Sequence, residues 1–179
     1  MRLGNSPDGY GLVSRILHWG MALAILAMLG LGTGIHRMTP DLSNLWLYGL
    51  HKSVGLTLLG LILLRLGWHR LSPPPVPRGV PGSWQLRLAR AVHRALYLLL
   101  LAIPLTGWAA SSATGIDTVY FGTWTVPAIA PPSESLSDLG FAVHGALTKL
   151  LLLLLLVHVA GALRHGAGRD GALRRMWTG

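Results

Sequence analysis

Four windows of about twenty residues, each apolar around most of its circumference, divide this chain. They run from about 12 to 34, 47 to 67, 88 to 110 and 139 to 163, and the last holds an unbroken leucine run at 150–156. A helix rises 1.5 Å per residue, so roughly 20 such residues cross a hydrocarbon core about 30 Å thick. A helix on a soluble domain needs only an apolar stripe. The windows therefore predict an all-α fold, an integral membrane four-helix bundle forming one transmembrane domain over 1–179. The first window carries Arg15 and His18 in its leading edge and is followed by no small-residue cleavage signature, so it reads as a retained span.

The connections are punctuated. Five prolines (Pro73, Pro74, Pro75, Pro77, Pro81) end the second helix and separate it from the third. Gly115, Gly122, Pro127, Pro131 and Pro132 make 111–137 a loop, and its Tyr120, Phe121 and Trp124 are rings suited to headgroup depth. The tail after Arg164 is short and basic, expected to be frayed or to lie on the membrane surface.

Charge then sets the orientation. Only 12% of residues are charged, yet the formal net charge is +9. In a soluble chain such basicity would raise nucleic acid as a partner. Here the charge is sorted by side instead, and no nucleic-acid partner is expected. Arg2, Arg15, Arg65, Arg70, Arg78, Arg87, Arg90, Arg94, Arg164, Arg169, Arg174 and Arg175 fall on the side of the termini and the second connection. Only Arg37, Lys52 and Lys149 fall opposite. By the positive-inside rule both termini face the cytoplasm.

The absence of cysteine excludes disulfides, thiolate zinc, iron–sulfur clusters and thioether-attached haem. Histidine remains as the strong metal ligand. His36, His69 and His165 fall at or beyond span ends, where solvent or headgroups satisfy them; His18, His51, His93, His144 and His158 lie in the windows. An ionisable residue at membrane depth is costly and needs a partner.

His144 and His158 stand 14 residues apart. That is about 3.9 turns and about 21 Å, so they share one face of the fourth span near its two ends. His18 lies at the depth of His158, and His51 at the depth of His144. Two pairs at two depths suggest two haems, each with both axial positions filled by imidazole and suited to electron transfer. Zinc prefers three or four converging ligands, and no acidic residue lies deep in a span. Gly20, Gly55 and Gly60 would let a flat macrocycle approach the backbone or serve helix packing. His93, at the inner level, could replace either inner ligand, line a quinone site, relay protons or simply lie at the interface beside Arg94.

The segments YGLVSRILHWGMAL, LHKSVGLTLLGLILLRLGW, LYLLLLAIPLTGWAASSATG and RDGALRRM are spread along nearly the whole chain. In them the sequence resembles the prokaryotic cytochrome b561 family of four-span, dihaem membrane cytochromes. The resemblance implies that His18 and His158 bind the cytoplasmic-side haem b and His51 and His144 the periplasmic-side one, with His93 not a ligand. It implies a multi-pass protein of the bacterial inner membrane. Gly145 follows His144 where the family often has an acidic residue.

The resemblance further implies a quinone-linked electron carrier with ubiquinone as acceptor. Its donor would be a small reductant or redox protein, superoxide at the periplasmic side being one, which would make the enzyme a superoxide:ubiquinone type oxidoreductase. Arg15, Lys52 and Lys149 are candidates for contacts with haem propionates or with an anionic substrate, and equally for membrane anchoring. Two other classes fit the same chain: a cytochrome b anchor subunit relaying electrons for a larger dehydrogenase or hydrogenase, and a haem-free membrane channel.

Overall fold

A computed structural model describes residues 2–77, 80–166 and 172–178. Four long helices, α1 (Leu12–His36), α2 (Leu45–Leu71), α3 (Trp84–Ala113) and α4 (Glu134–Gly166), are each long and apolar enough to cross a membrane. The fold is therefore all-α but for one small hairpin, as the four windows predict. Two of the basic residues that set the expected orientation, Arg78 and Arg169, lie outside the described residues.

Every helix overruns its apolar window, because hydropathy marks the crossing and capping marks the end. Ser83 accepts a hydrogen bond from the Leu86 amide and starts α3 at Trp84. Ser133 does the same for the Leu136 amide, so α4 starts at Glu134. At the far end of α2, the proline run beyond Ser72 leaves no amide to continue the ladder.

The region 111–137, expected as a loop, is more ordered than that. After α3 the chain forms an antiparallel hairpin, β1 (Thr118–Tyr120) with β2 (Trp124–Val126), Tyr120 facing Trp124. Phe121 (φ 44°) and Gly122 (φ 71°) take the two left-handed positions of its turn, closed by Thr123 N–H donating to the Tyr120 carbonyl at 2.9 Å. The hairpin does not rest at headgroup depth throughout. The Tyr120 hydroxyl lies 2.9 Å from that of Thr57, six residues past His51 and so about 9 Å further along α2. The Phe121 amide donates to the fully buried Ser53 at 2.9 Å. Phe121 and Trp124 themselves remain exposed.

The tail is a second correction. Residues Ala172–Trp177 form a short helix, α5, docked on the start of the chain rather than frayed. Arg175, buried, donates to the carbonyls of Pro7 (3.1 Å) and Val76 (3.2 Å). The Trp19 indole donates to the Met176 carbonyl at 3.0 Å, and Arg15 to that of Trp177. The N-terminal segment joins this cap through Asn5, which bonds Ser72 twice at 2.7 Å.

Packing among the long helices is uneven. α3 and α4 pack closely along their length: a Cβ on Gly140 would stand 2.7 Å from that of Ala110. α1 packs on α2, and α2 on α3, but α4 meets α1 and α2 at most at isolated points. Met21, Ile25, Leu59, Ile62, Val92, Leu96, Leu99 and Leu151 form the buried core. Leu151 sits seven residues from both His144 and His158, so this core separates the two histidine levels. Leu23, Leu26, Leu63, Leu64, Leu98, Leu153 and Leu156 point outward, giving the apolar exterior that lipid requires.

Candidate haem sites

The gap between α4 and the α1–α2 pair is bridged by imidazoles. At the level nearer the start of α2, outer in the orientation the charge predicts, His51 of α2 and His144 of α4 have ring centroids 6.2 Å apart. At the inner level His18 of α1 and His158 of α4 stand 6.3 Å apart. Metal–imidazole bonds of about 2.0–2.1 Å place two rings that flank one metal with centroids about 6 Å apart. Both pairs have that separation. His93 lies 5.1 Å from His158, closer than two rings with a metal between them.

Among the described residues no three potential ligands converge on one point. Two protein ligands per site is what a metal already held in a macrocycle takes. The donor set and the stand-off of α4 thus fit haem, with two imidazoles facing each other across each gap.

The outer site is closely tailored. The Nδ1 of His144 lies 2.9 Å from the Ile103 carbonyl. A carbonyl only accepts, so Nδ1 carries the proton and Nε2 keeps the lone pair a metal needs. A Cβ on Gly107 would come within 3.0 Å of the His144 ring, and one on Gly32 within 3.1 Å of the His51 ring. The His51 Nδ1 is buried without a hydrogen-bond partner. Gly20 and Gly60, expected beside the cofactor, have nothing within 4 Å of an added Cβ, while Gly55 would meet only Met28 at 3.8 Å. The glycines that press on histidine are thus Gly32 and Gly107.

The inner site carries a polar network that hydropathy did not reveal. Both terminal nitrogens of Arg65 lie 3.2 Å from the His18 Nδ1. Its Nε donates to the Tyr97 hydroxyl at 3.2 Å, and that hydroxyl lies 3.1 Å from the His69 Nδ1. His69, expected to be solvated, is half-buried, with its Nε2 buried and unpartnered. His36 is exposed as expected, whereas the side chain of His165 lies outside the described residues.

Of the other candidates, Arg15 is engaged with Trp177, Lys52 is half-buried beside His51, and Lys149 is exposed on α4. Beyond the membrane segments, burial pushes the Tyr10 phenol up, against the pull of Arg175 and Arg65.

Four helices long and apolar enough to cross a membrane, holding two pairs of facing imidazoles, define a membrane-embedded, haem-binding cytochrome. The sequence pattern of prokaryotic cytochrome b561 matches residues 9–179. Cytochrome b561 homolog 2 of Escherichia coli (strain K12) is 34% identical over 180 residues, covering 98% of this chain and 95% of that protein. Cytochrome b561 homolog 1 of the same organism is 31% identical over 97 residues, 54% of each chain. The chain belongs to the prokaryotic cytochrome b561 family. It is a multi-pass protein of the bacterial inner membrane, with haem b as its cofactor and electron transport as its work.

Proposed function

We propose that the protein is a dihaem cytochrome carrying electrons across the membrane between a donor and the quinone pool, with ubiquinone as acceptor and both termini in the cytoplasm. The carrying observation is the pair of imidazole couples, 6.2 and 6.3 Å between ring centroids, set 14 residues apart on α4. His51 and His144 would hold the periplasmic-side haem iron, and His18 and His158 the cytoplasmic-side one. Bound there, each haem supplies a one-electron couple whose potential follows its ligands, burial and nearby charge.

The chain's own residues do the positioning. Ile103 orients His144, and Gly32 and Gly107 give the outer rings their room. With His51 and His144, or His18 and His158, both holding it, a bound haem would serve electron transfer rather than oxygen binding. Lys52, beside His51, and Lys149 are the only lysines and both belong to the outer half. Their charge would draw an anionic donor such as superoxide toward that side. Lipid and a redox partner complete the surroundings.

The test is haem stoichiometry with redox titration of the purified protein, followed by mixing with superoxide and with ubiquinol. Two b-type haems reduced by superoxide and reoxidised by ubiquinone support the proposal. A single haem, or reduction only through an added dehydrogenase, would replace it with a simpler carrier or an anchor subunit. A spectrum without b-type absorption, from protein made with ample haem, would leave the channel.

A further inference from the structure

Arg65 is a cation set six residues inside the end of α2, and no anion meets it among the described residues. Its partners among the described residues are the His18 ring and the Tyr97 hydroxyl, both uncharged acceptors. The nearby Tyr10 phenol is held neutral by its burial. A charge at membrane depth persists when it is paired. Among the described residues no carboxylate pairs it: Asp8 is exposed in the segment before α1, Glu134 and Asp138 lie at the start of α4, and Asp41 and Asp117 lie in the connections after α1 and α3.

A second observation points the same way. A guanidinium only donates, so with Arg65 on its Nδ1 a neutral His18 carries its proton on Nε2. An axial ligand needs that nitrogen bare. The Arg65–His18 contact and ligation by His18 through Nε2 are therefore alternatives, and the guanidinium must find another acceptor when the iron is bound.

We propose that this acceptor is a carboxylate of the inner haem, with Arg65 as its counter-ion. The proposal rests on the dihaem reading above. The planar fork of arginine suits a carboxylate bidentately. Arg65 also holds the Tyr97 hydroxyl through Nε, which keeps its stem in place while the two terminal nitrogens change partner. Among the basic residues near the inner site, Arg15 gives a terminal nitrogen to the Trp177 carbonyl.

The experiment compares the intact protein with Arg65→Leu and Arg65→Lys, reading haem content and the two midpoint potentials. A cation beside a haem favours the reduced form. Arg65→Leu should shift the inner couple about tenfold toward the oxidised form, which is 59 mV for one electron, and leave the outer couple in place. Arg65→Lys, which keeps the charge but not the fork, should fall between. Should Arg65→Leu not accumulate, wild-type apoprotein is reconstituted with haem or with its dimethyl ester, and the ester should show the same selective fall at the inner site. Two haems at unchanged potentials in Arg65→Leu, or an ester matching free haem at the inner site, would overturn the role of Arg65 alone. Fewer than two haems in the wild type would overturn the dihaem reading beneath it.

Discussion

The Nδ1 of His144 donates to the carbonyl of Ile103 at 2.9 Å, tying α4 to α3 through the residue just before Pro104. Pro104 lacks an N–H, so it leaves the Leu100 carbonyl, one turn earlier in α3, without its ladder donor. The Thr106 hydroxyl donates to the same carbonyl at 2.9 Å. One backbone oxygen thus accepts from a hydroxyl of its own helix and from an imidazole of α4, and Gly107 follows one turn later, directly against the imidazole.

Replacing Gly107 by alanine should therefore act on the outer haem. A Cβ within 3.0 Å of the His144 ring forces that ring or α3 to move. Disturbing the surroundings of a metal ligand typically costs roughly 10–100-fold in affinity. Haem content of Gly107→Ala protein should fall toward half of the wild-type value, with the inner couple intact; full occupancy with unchanged potentials would contradict the packing described.

Alanine at His51 or His144 should remove one haem, and alanine at His18 or His158 the other. Redox titration then shows a single couple, different for the two sets. His93→Ala should retain both, because its ring lies only 5.1 Å from that of His158. Loss of a haem from His93→Ala, with His18→Ala keeping two, would transfer the inner ligand to α3.

The hairpin is fastened to α2 at two points, and the buried one matters more. Ser53→Ala strips the Phe121 amide of its acceptor, which is a fully buried side chain. An orphaned buried donor costs roughly 1–3 kcal/mol. Tyr120→Phe removes one hydrogen bond to Thr57, worth about 1 kcal/mol. Thermal unfolding in detergent should rank the variants wild type, Tyr120→Phe, Ser53→Ala, from most to least stable.

Arg175→Ala should release α5. The side chain holds two carbonyls, those of Pro7 and Val76, from segments far apart in sequence. Limited proteolysis should then cut near the C-terminus faster than in wild type, with haem content unchanged, since no proposed ligand lies in α5. Equal cutting rates would show that Trp19 and Arg15 hold the helix unaided.

The crossings and histidine levels were legible in the sequence because both depend only on hydropathy and on 1.5 Å per residue. Which face of a helix turns toward which neighbour was not. An α2 that is apolar nearly all round has no polar side to orient it, so Arg65 read as one more cytoplasmic basic residue and His69 as a solvated one. The same blindness hid Gly32 and Gly107: a glycine's role depends on what lies opposite, and for both that is a histidine on another helix. Tyr120 misled differently, since an interfacial ring and one hydrogen-bonded deep in a bundle have the same side chain. The tail looked frayed because its composition is basic and glycine-containing, while what anchors α5 is carbonyl groups that no composition displays.

The core between the two histidine levels has a consequence for charge movement. Residues 21–31, 58–64, 98–103 and 150–157 include no hydroxyl, amide or ionisable side chain. A proton crossing there would find nothing to rest on and would face the full penalty of hydrocarbon. An electron needs no such stepping stone. On the dihaem reading proposed above, transfer from one level to the other would therefore be electrogenic: it would move net charge through the bilayer with no companion ion, and protons consumed or released at either face would come from the compartment on that face.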